Sequence, residues 1–220
     1  MAHSTHGRTS VAHLRKEYSR AELNESGLDS DPFDQFQSWF DQAVDAHLSE
    51  PTAMTLASAT KKGKPSARIV LMKEFSHRGF LFFTNYHSRK GKELLDNPAA
   101  ALLFHWVELE RQVRIEGIVK KVSRRESEQY FRTRPTGSQL GAWASNQSEV
   151  VTDRAILERK LALLEKEFQG KAITMPRYWG GFLLKPSAIE FWQGRPNRLH
   201  DRLLYTRVRA NVWKIERLSP

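Results

Sequence analysis

The stretch "EFWQGRPNRLHDRLL", residues 190–204, gathers Arg195, Arg198, His200 and Arg202 within eight residues, with Asp201 as the one acid among them. Phe191 and Trp192 precede the group and Leu203 and Leu204 follow it. In an extended segment side chains alternate between the two faces of a sheet. Arg198, His200 and Arg202 would then share one face, and Leu199, Asp201 and Leu203 the other. Arg195 falls on the odd-numbered side, next to Pro196, outside the set. Three cationic or cationisable groups on one face make a seat for an anion. A solvated basic edge strand has the same composition, its charges discouraging aggregation. The spacing and the adjoining aromatic pair favour the anion seat.

Other local groups could hold phosphate. "RIVLMK" brackets an apolar strand with Arg68 and Lys73. These two are five apart, so a regular strand points them to opposite faces. A bulge, or a site shared between two subunits, would bring them to one ligand pair. "SRKGK" places Arg89 and Lys90 in a first helical turn behind Ser88. Free N–H groups there favour an anion while the cations oppose the helix dipole, a conflict that a phosphate would relieve. "YFRTRPTGS" sets Tyr130 and Arg134 four apart on one helix face, with Ser138 past Pro135 as the expected cap of the next helix. Tyrosine, arginine and serine together can grip one phosphate through charge-assisted hydrogen bonds. Gln112 sits within a strand, Gln147 and Ser148 follow a short helix, and Trp192 is either core or the wall of a flat cofactor.

The elements that must position these groups are short and numerous. Residues 1–30 lack sustained periodicity and read as a flexible N-terminal arm, with a short helix around "VAHLRKEY"; residues 31–220 read as a single domain. Asp31 and Pro32 start an amphipathic helix whose stripe is Phe33, Phe36, Phe40, Val44 and Leu48 (or His47). Strands are expected in "TAMTLASA", "SARIVLMKEF", "FLFFTN", "AAALLFHW" and "RQVRIEGIVKKV", and again in "GGFLLKP", "AIEFWQ", "RLLYTRV" and "VWKIERL". Ser88 opens a helix that Pro98 ends. Ser123 and Glu126 form a capping box for a helix that closes before Pro135. A short helix follows in "SQLGAWAS", then a longer one over 153–168 with Leu157, Leu161, Leu164 and Phe168 on one stripe. Without regular βαβ alternation a doubly wound sheet is disfavoured, and an antiparallel barrel with helices outside it is expected.

The totals narrow the function. In 220 residues there is no cysteine, which rules out thiolate chemistry and fits a cytoplasmic protein. No apolar run approaches the ~20 residues of a membrane span. GxGxxG, a P-loop and convincing metal-ligand spacing are all missing, so no metal is expected. The formal charge of +10 is unevenly spread. Residues 61–125 hold 15 basic against 6 acidic residues and residues 171–220 hold 10 against 3, while 31–60 hold five acids and no base. Two basic segments indicate an anionic partner, either nucleic acid or a phosphorylated small molecule. The aromatics mostly sit in apolar runs and no nucleic-acid-binding motif appears, so nucleic acid is not expected.

The run "IEFWQGRPNRLHDR", Ile189–Arg202, resembles the signature of the pyridoxine/pyridoxamine 5′-phosphate oxidase family: E-F-W-Q, a four-residue spacer, then R-L-H-D-R. The likeness extends from about Ala12 to Pro220 through "HLRKEY", "EPTAM", "RIVLMK", "SRKGKEL", "LERQVRIEG", "YFRTRPTGSQLGAWASNQS" and "YWGGF". Arg195 lies in the variable spacer, which leaves Arg198, His200 and Arg202 as the set. The resemblance implies a homodimeric, flavin-reductase-like split barrel, mainly β with peripheral helices, with FMN at the subunit interface. It implies that Arg68, Ile69, Val70, Leu71, Met72 and Lys73 line the flavin and its phosphate. Phe83, Thr84, Arg89, Lys90, Gln112, Gln147, Ser148, Trp192 and Arg202 would complete that site. Lys73, Tyr130, Arg134 and Ser138 would hold the substrate phosphate, with Arg198, Leu199 and His200 over the pyridine ring and Arg15 to Tyr18 as a lid. Phe83 stands where the family commonly has tyrosine, and the residues after Tyr18 match poorly. The implied reaction is oxidation of pyridoxine 5′-phosphate and pyridoxamine 5′-phosphate to pyridoxal 5′-phosphate, with O2 as acceptor and H2O2 as product. A flavin reductase or flavin-storing protein on the same barrel would not need the second phosphate group of residues.

Overall fold

Asp31 accepts a hydrogen bond from the Phe33 N–H at 2.8 Å, and Pro32 takes the first helical position, where its missing N–H costs nothing. Helix α1 (Pro32–Asp45) therefore starts where the sequence places it. The structure is a computed structural model and describes residues 17–220; Arg15 and most of the "VAHLRKEY" segment lie outside the described residues. The buried face of α1 is Phe33, Phe36, Trp39 and Ala43, with Phe40 half-buried. Val44 is 46% exposed and Leu48 lies beyond the helix end. At 3.6 residues per turn the stripe drifts back one position, which brings in Ala43 and leaves Val44 outside.

Nine strands follow: β1 (Ala53–Ala59), β2 (Pro65–Leu71), β3 (Glu74–Ser76), β4 (Gly79–Asn85), β5 (Ala99–Trp106), β6 (Arg111–Lys121), β7 (Trp179–Gln193), β8 (Asp201–Arg209) and β9 (Val212–Arg217). Helices α2 (Arg89–Asp96), α3 (Arg124–Thr133), α4 (Thr136–Ala144) and α5 (Arg154–Glu167) lie between them. Every strand pairing is antiparallel, in the order β2-β1-β5-β6-β7-β4-β3, with β8 on β7 and β9 on β8. The curled sheet closes over α1. Phe36 is fully buried and meets Phe75, Phe80, Phe104 and Trp106 at ring distances of 4.8 to 6.1 Å. Removing such a ring costs ~3–5 kcal/mol, so α1 is integral to the barrel. On β6, Val113, Ile115 and Val119 point into this core, while Gln112, Arg114 and Glu116 face outward.

Two expected strands, "GGFLLKP" and "AIEFWQ", are one. β7 runs through Pro186, which cannot donate to a ladder, and the register shifts opposite it between Glu116 and Gly117. A side chain at Gly117 would lie 2.1 Å from the Lys185 carbonyl oxygen, so only glycine allows this close approach. The N-terminal half of β7 thereby serves β4 and its C-terminal half serves β8, which makes β7 the branch point of the sheet.

A second cluster, Phe131, Met175 and Trp179, packs α3 onto the start of β7. The stripe of α5 is only half-buried; Phe168, just past its end, meets Trp143 of α4 at 6.2 Å. Among the described residues no helix is long and apolar enough to cross a membrane.

Candidate active site

Helix α3 ends because Pro135 disfavours helical backbone at the residue before it, and Arg134 is accordingly extended (φ −73°, ψ 146°). That turn swings the Arg134 guanidinium over the Trp179 ring, 4.7 Å from its centroid, and over Phe131 at 5.5 Å. Its Nη1 is buried and has no hydrogen-bond partner among the described residues. Burial lowers the Arg134 pKa, with the neighbouring Tyr130 opposing. A buried guanidinium nitrogen without an acceptor is costly, and an anion would remove that cost.

Arg134 lines a cavity of about 630 Å³ with Ile69, Val70, Leu71 and Lys73 from the β2–β3 crossing, Phe83 and Thr84 from β4, Lys90 from α2, and Tyr130, Ser138, Gln147 and Trp179. The expected Lys73, Tyr130, Arg134 and Ser138 thus meet around one space. Ser138 is not a cap: α4 begins at Thr136 behind Pro135 and no side chain caps it, which leaves Ser138 as its third residue, inside the first turn. Tyr130 stacks on Phe83 at 4.0 Å, and Phe83 on Trp179 at 5.3 Å, forming a flat aromatic wall. Burial raises the Tyr130 pKa, so its hydroxyl stays protonated and can donate.

The distance between Arg68 and Lys73 is resolved without a bulge in β2. The strand ends at Leu71, and the chain passes from β1 to β4: the Met72 N–H bonds to the Thr52 carbonyl and the Lys73 N–H to the Leu81 carbonyl. Met72 is 3% exposed and belongs to the core, so its side chain does not reach the cavity. Arg68 lies to one side, bonded to Ser58 (2.5 Å), to Ser66 and, at 3.4 Å, to Glu93.

Glu93 also accepts from Ser58 at 2.6 Å and from Arg89 at 2.9 Å. Burial would raise its pKa, but these donors hold it at about 2. The clash of Arg89 with the α2 dipole is thus already relieved by Glu93 one turn on. Lys90 differs: Thr84 and Gln147 are its hydrogen-bond partners, both at 3.4 Å. Burial, and then Arg68, lower its pKa. Ser148, in the left-handed region (φ 75°), lines an adjoining hollow with Gln147 and Arg89.

The remaining expected residues gather elsewhere. Gln112 of β6 opposes Trp192 of β7, and Trp192 opposes Arg202 of β8, so the three form one row across the sheet. With Arg114 and Glu190 they line a separate hollow of about 270 Å³. Glu190 is buried, pairs with Arg202 at 2.8 Å and with Arg114, and its pKa is lowered by these partners against its burial. The face shared by Arg198, His200 and Arg202 does not arise from strand alternation. Pro196–Arg198 is a 3-10 turn with Asn197 and Arg198 in the left-handed region (φ 58° and 62°), and β8 begins only at Asp201. Proline at 196 and the turn-forming Asn197 break the extended run. Arg198 and Leu199 are exposed. His200 packs on Trp192 at 4.6 Å and accepts the Arg195 N–H at its Nδ1, 3.1 Å. Burial, then Arg198, lower the His200 pKa, with Asp201 opposing.

Sequence reasoning missed Trp179, which carries Arg134, and Glu190, which carries Arg202. Their signals were the quoted "YWGGF" and "EFW" runs, where each reads as an ordinary strand residue.

Residues 40–166 match the family described as pyridoxamine 5′-phosphate oxidase, and residues 179–220 match its pyridoxine 5′-phosphate oxidase C-terminal dimerisation region. The chain belongs to the pyridoxamine 5′-phosphate oxidase family. Proteins named pyridoxine/pyridoxamine 5′-phosphate oxidase are similar to it: one from Nostoc punctiforme is 59% identical and one from Cyanothece sp. 56% identical. Each alignment covers 96% of this chain, with 98% and 99% of those relatives respectively. Among solved structures, PhzG from Burkholderia lata 383, in complex with tetrahydrophenazine-1-carboxylic acid, superposes with a TM-score of 0.85 at 32% identity. That match covers 92% of this chain and 99% of PhzG. A pyridoxamine 5′-phosphate oxidase-related, FMN binding protein from N. punctiforme shares the fold, with a TM-score of 0.68 at 15% identity over 88% of this chain and all of that one. The split barrel expected from the sequence is the fold observed. The family's dimerisation region coincides with β7 to β9, the strands that carry Trp192 and Arg202.

Proposed function

We propose that this protein is a homodimeric, FMN-dependent oxidase that converts pyridoxine 5′-phosphate and pyridoxamine 5′-phosphate to pyridoxal 5′-phosphate, with O2 as acceptor and H2O2 as second product. The observation that carries the reading is the buried, unpartnered Nη1 of Arg134 in a cavity with Lys73, Tyr130 and Ser138. Four such groups around one space suit a substrate phosphate. The relatives that bear this activity in their name align over nearly the whole chain.

The residues present also fit FMN. Among the described residues Lys90 meets only neutral oxygens in its hydrogen bonds, beside Thr84, Gln147 and Arg68, and suits the flavin phosphate. Ile69, Val70 and Leu71 offer an apolar edge and Phe83 a flat wall, while Met72 contributes backbone alone. The partner subunit's Gln112, Trp192 and Arg202 would complete the flavin site, since those residues do not reach the cavity of their own chain. Ser148 and Arg89 would close the phosphate end.

FMN, when bound, would supply the two-electron redox chemistry, with the substrate C4′ carbon as hydride donor and oxygen as final acceptor. The chain's own residues bind and orient. Arg134, Lys73, Tyr130 and Ser138 fix the phosphate and so the reach of the ring. Arg198 polarises the phenolic oxygen. His200, held neutral with Nδ1 as acceptor, keeps its proton at Nε2 for donation to the same end of the ring. With pyridoxamine 5′-phosphate, water hydrolyses the resulting imine. The test is stoichiometry: FMN-loaded protein in air should release one peroxide per pyridoxal 5′-phosphate. Product without peroxide would remove oxygen from the scheme.

A further inference from the structure

Arg195 sits in the spacer that the motif leaves variable, yet it joins two parts of the structure. Its N–H fixes Nδ1 of His200, and its guanidinium Nη1 lies 2.7 Å from Oε1 of Glu22, with Nε 3.8 Å from Asp201. Glu22 belongs to a segment that runs across the C-terminal motif. At one end of that segment, Glu110 accepts the N–H groups of Ser19 and Arg20 at 3.0 and 3.1 Å. Further along, Asp201 accepts the Leu23 N–H at 3.0 Å, and Arg217 grips Glu25 at 2.7 Å. Immediately before the first anchor the Tyr18 ring packs edge-on against Trp192 and His200, each at 5.8 Å. It also fills the space over Gly194, where a Cβ would come within 2.7 Å of the ring.

We propose that the Arg195–Glu22 ion pair latches this segment over the substrate end of the site, making Arg195 a positioning residue that keeps Tyr18 against Trp192 and His200. The inference rests on the function proposed above. Arg195 is 27% exposed and Glu22 62%, so the pair is partly hydrated and changes an equilibrium by about two- to five-fold. That suits a segment which must open for substrate and close again. The latch tightens substrate binding and leaves the chemical step alone.

The test uses FMN-loaded protein and three single variants, Glu22→Gln, Arg195→Ala and Arg195→Lys, with the Glu22→Gln/Arg195→Ala double variant. Amide hydrogen exchange over residues 19–23 should quicken by about two- to five-fold in the Gln and Ala variants. KM for pyridoxine 5′-phosphate should rise by the same factor with kcat little changed. Arg195→Lys should restore most of both, and the double variant should be no worse than either single. Unchanged exchange would overturn the latch. Faster exchange with an unchanged KM would overturn the positioning role. Faster exchange in the variants, with a wild type that never turns over pyridoxine 5′-phosphate, would overturn the proposed function and leave the latch standing.

Discussion

Trp192 and Arg202 oppose each other across β7 and β8, and neither lines the cavity beside Arg134. The register makes this unavoidable: the row from Gln112 through Trp192 to Arg202 lies on the outward face of the sheet, where a second subunit can meet it. If each site is assembled from two chains, two differently damaged subunits can repair each other. Lys90→Ala strikes the cavity and Arg202→Ala strikes the row, so each homodimer should be inactive. Mixed by unfolding and refolding together, they should recover about a quarter of wild-type activity, since half the dimers then hold one intact site. No recovery would place both groups in one subunit's site.

Under the proposed function, Arg134 is the strongest single handle on the substrate phosphate. Arg134→Ala removes the unpaired buried donor and the charge over Trp179. Losing a hydrogen bond to a charged group costs ~1.5–3 kcal/mol, so kcat/KM should fall ~10- to 100-fold. FMN content should stay near that of the wild type if Arg134 serves the substrate phosphate as proposed. Flavin absorbance alongside steady-state kinetics separates the two effects.

His200 sets a pH dependence. Its pKa lies below the usual ~6.5 because burial and then Arg198 disfavour the imidazolium. The acid limb of kcat/KM should therefore have its midpoint below pH ~6.5, and Arg198→Ala should move the His200 midpoint upward. Stability follows the same sign. The unfolded chain takes up this proton at higher pH than the folded one, so the contribution is present above ~6.5 and is lost as pH falls through the folded value. Proton NMR titration of the histidine ring measures the midpoint directly.

The sequence was most legible where one residue decides a local structure. Asp31 and Ser88 each accept a backbone N–H of the helix they open, as their types predict. At Ser123 half of the expected capping box forms: Ser123 takes the Glu126 N–H, but the Glu126 carboxylate pairs with Arg78. The convergence of Tyr130, Arg134 and Ser138 on one cavity was legible as well, because they lie close in sequence and α3 and α4 bring them together. What could not be read depends on distant partners. Trp179 matters only because Arg134 folds over it, 45 positions back in the chain. Arg195 pairs with Glu22, 173 positions away in the sequence. The turn at Pro196–Arg198 defeated the alternation argument because local turn chemistry outranked the strand pattern on either side.

The most direct measurement is the visible spectrum of the purified protein, taken without oxygen, before and after pyridoxine 5′-phosphate is added and again on admitting air. The account predicts a flavin band that bleaches with the substrate and returns with oxygen. A flavin band that ignores pyridoxine 5′-phosphate would contradict it, and would leave a flavin-binding split barrel whose second phosphate group of residues serves another ligand.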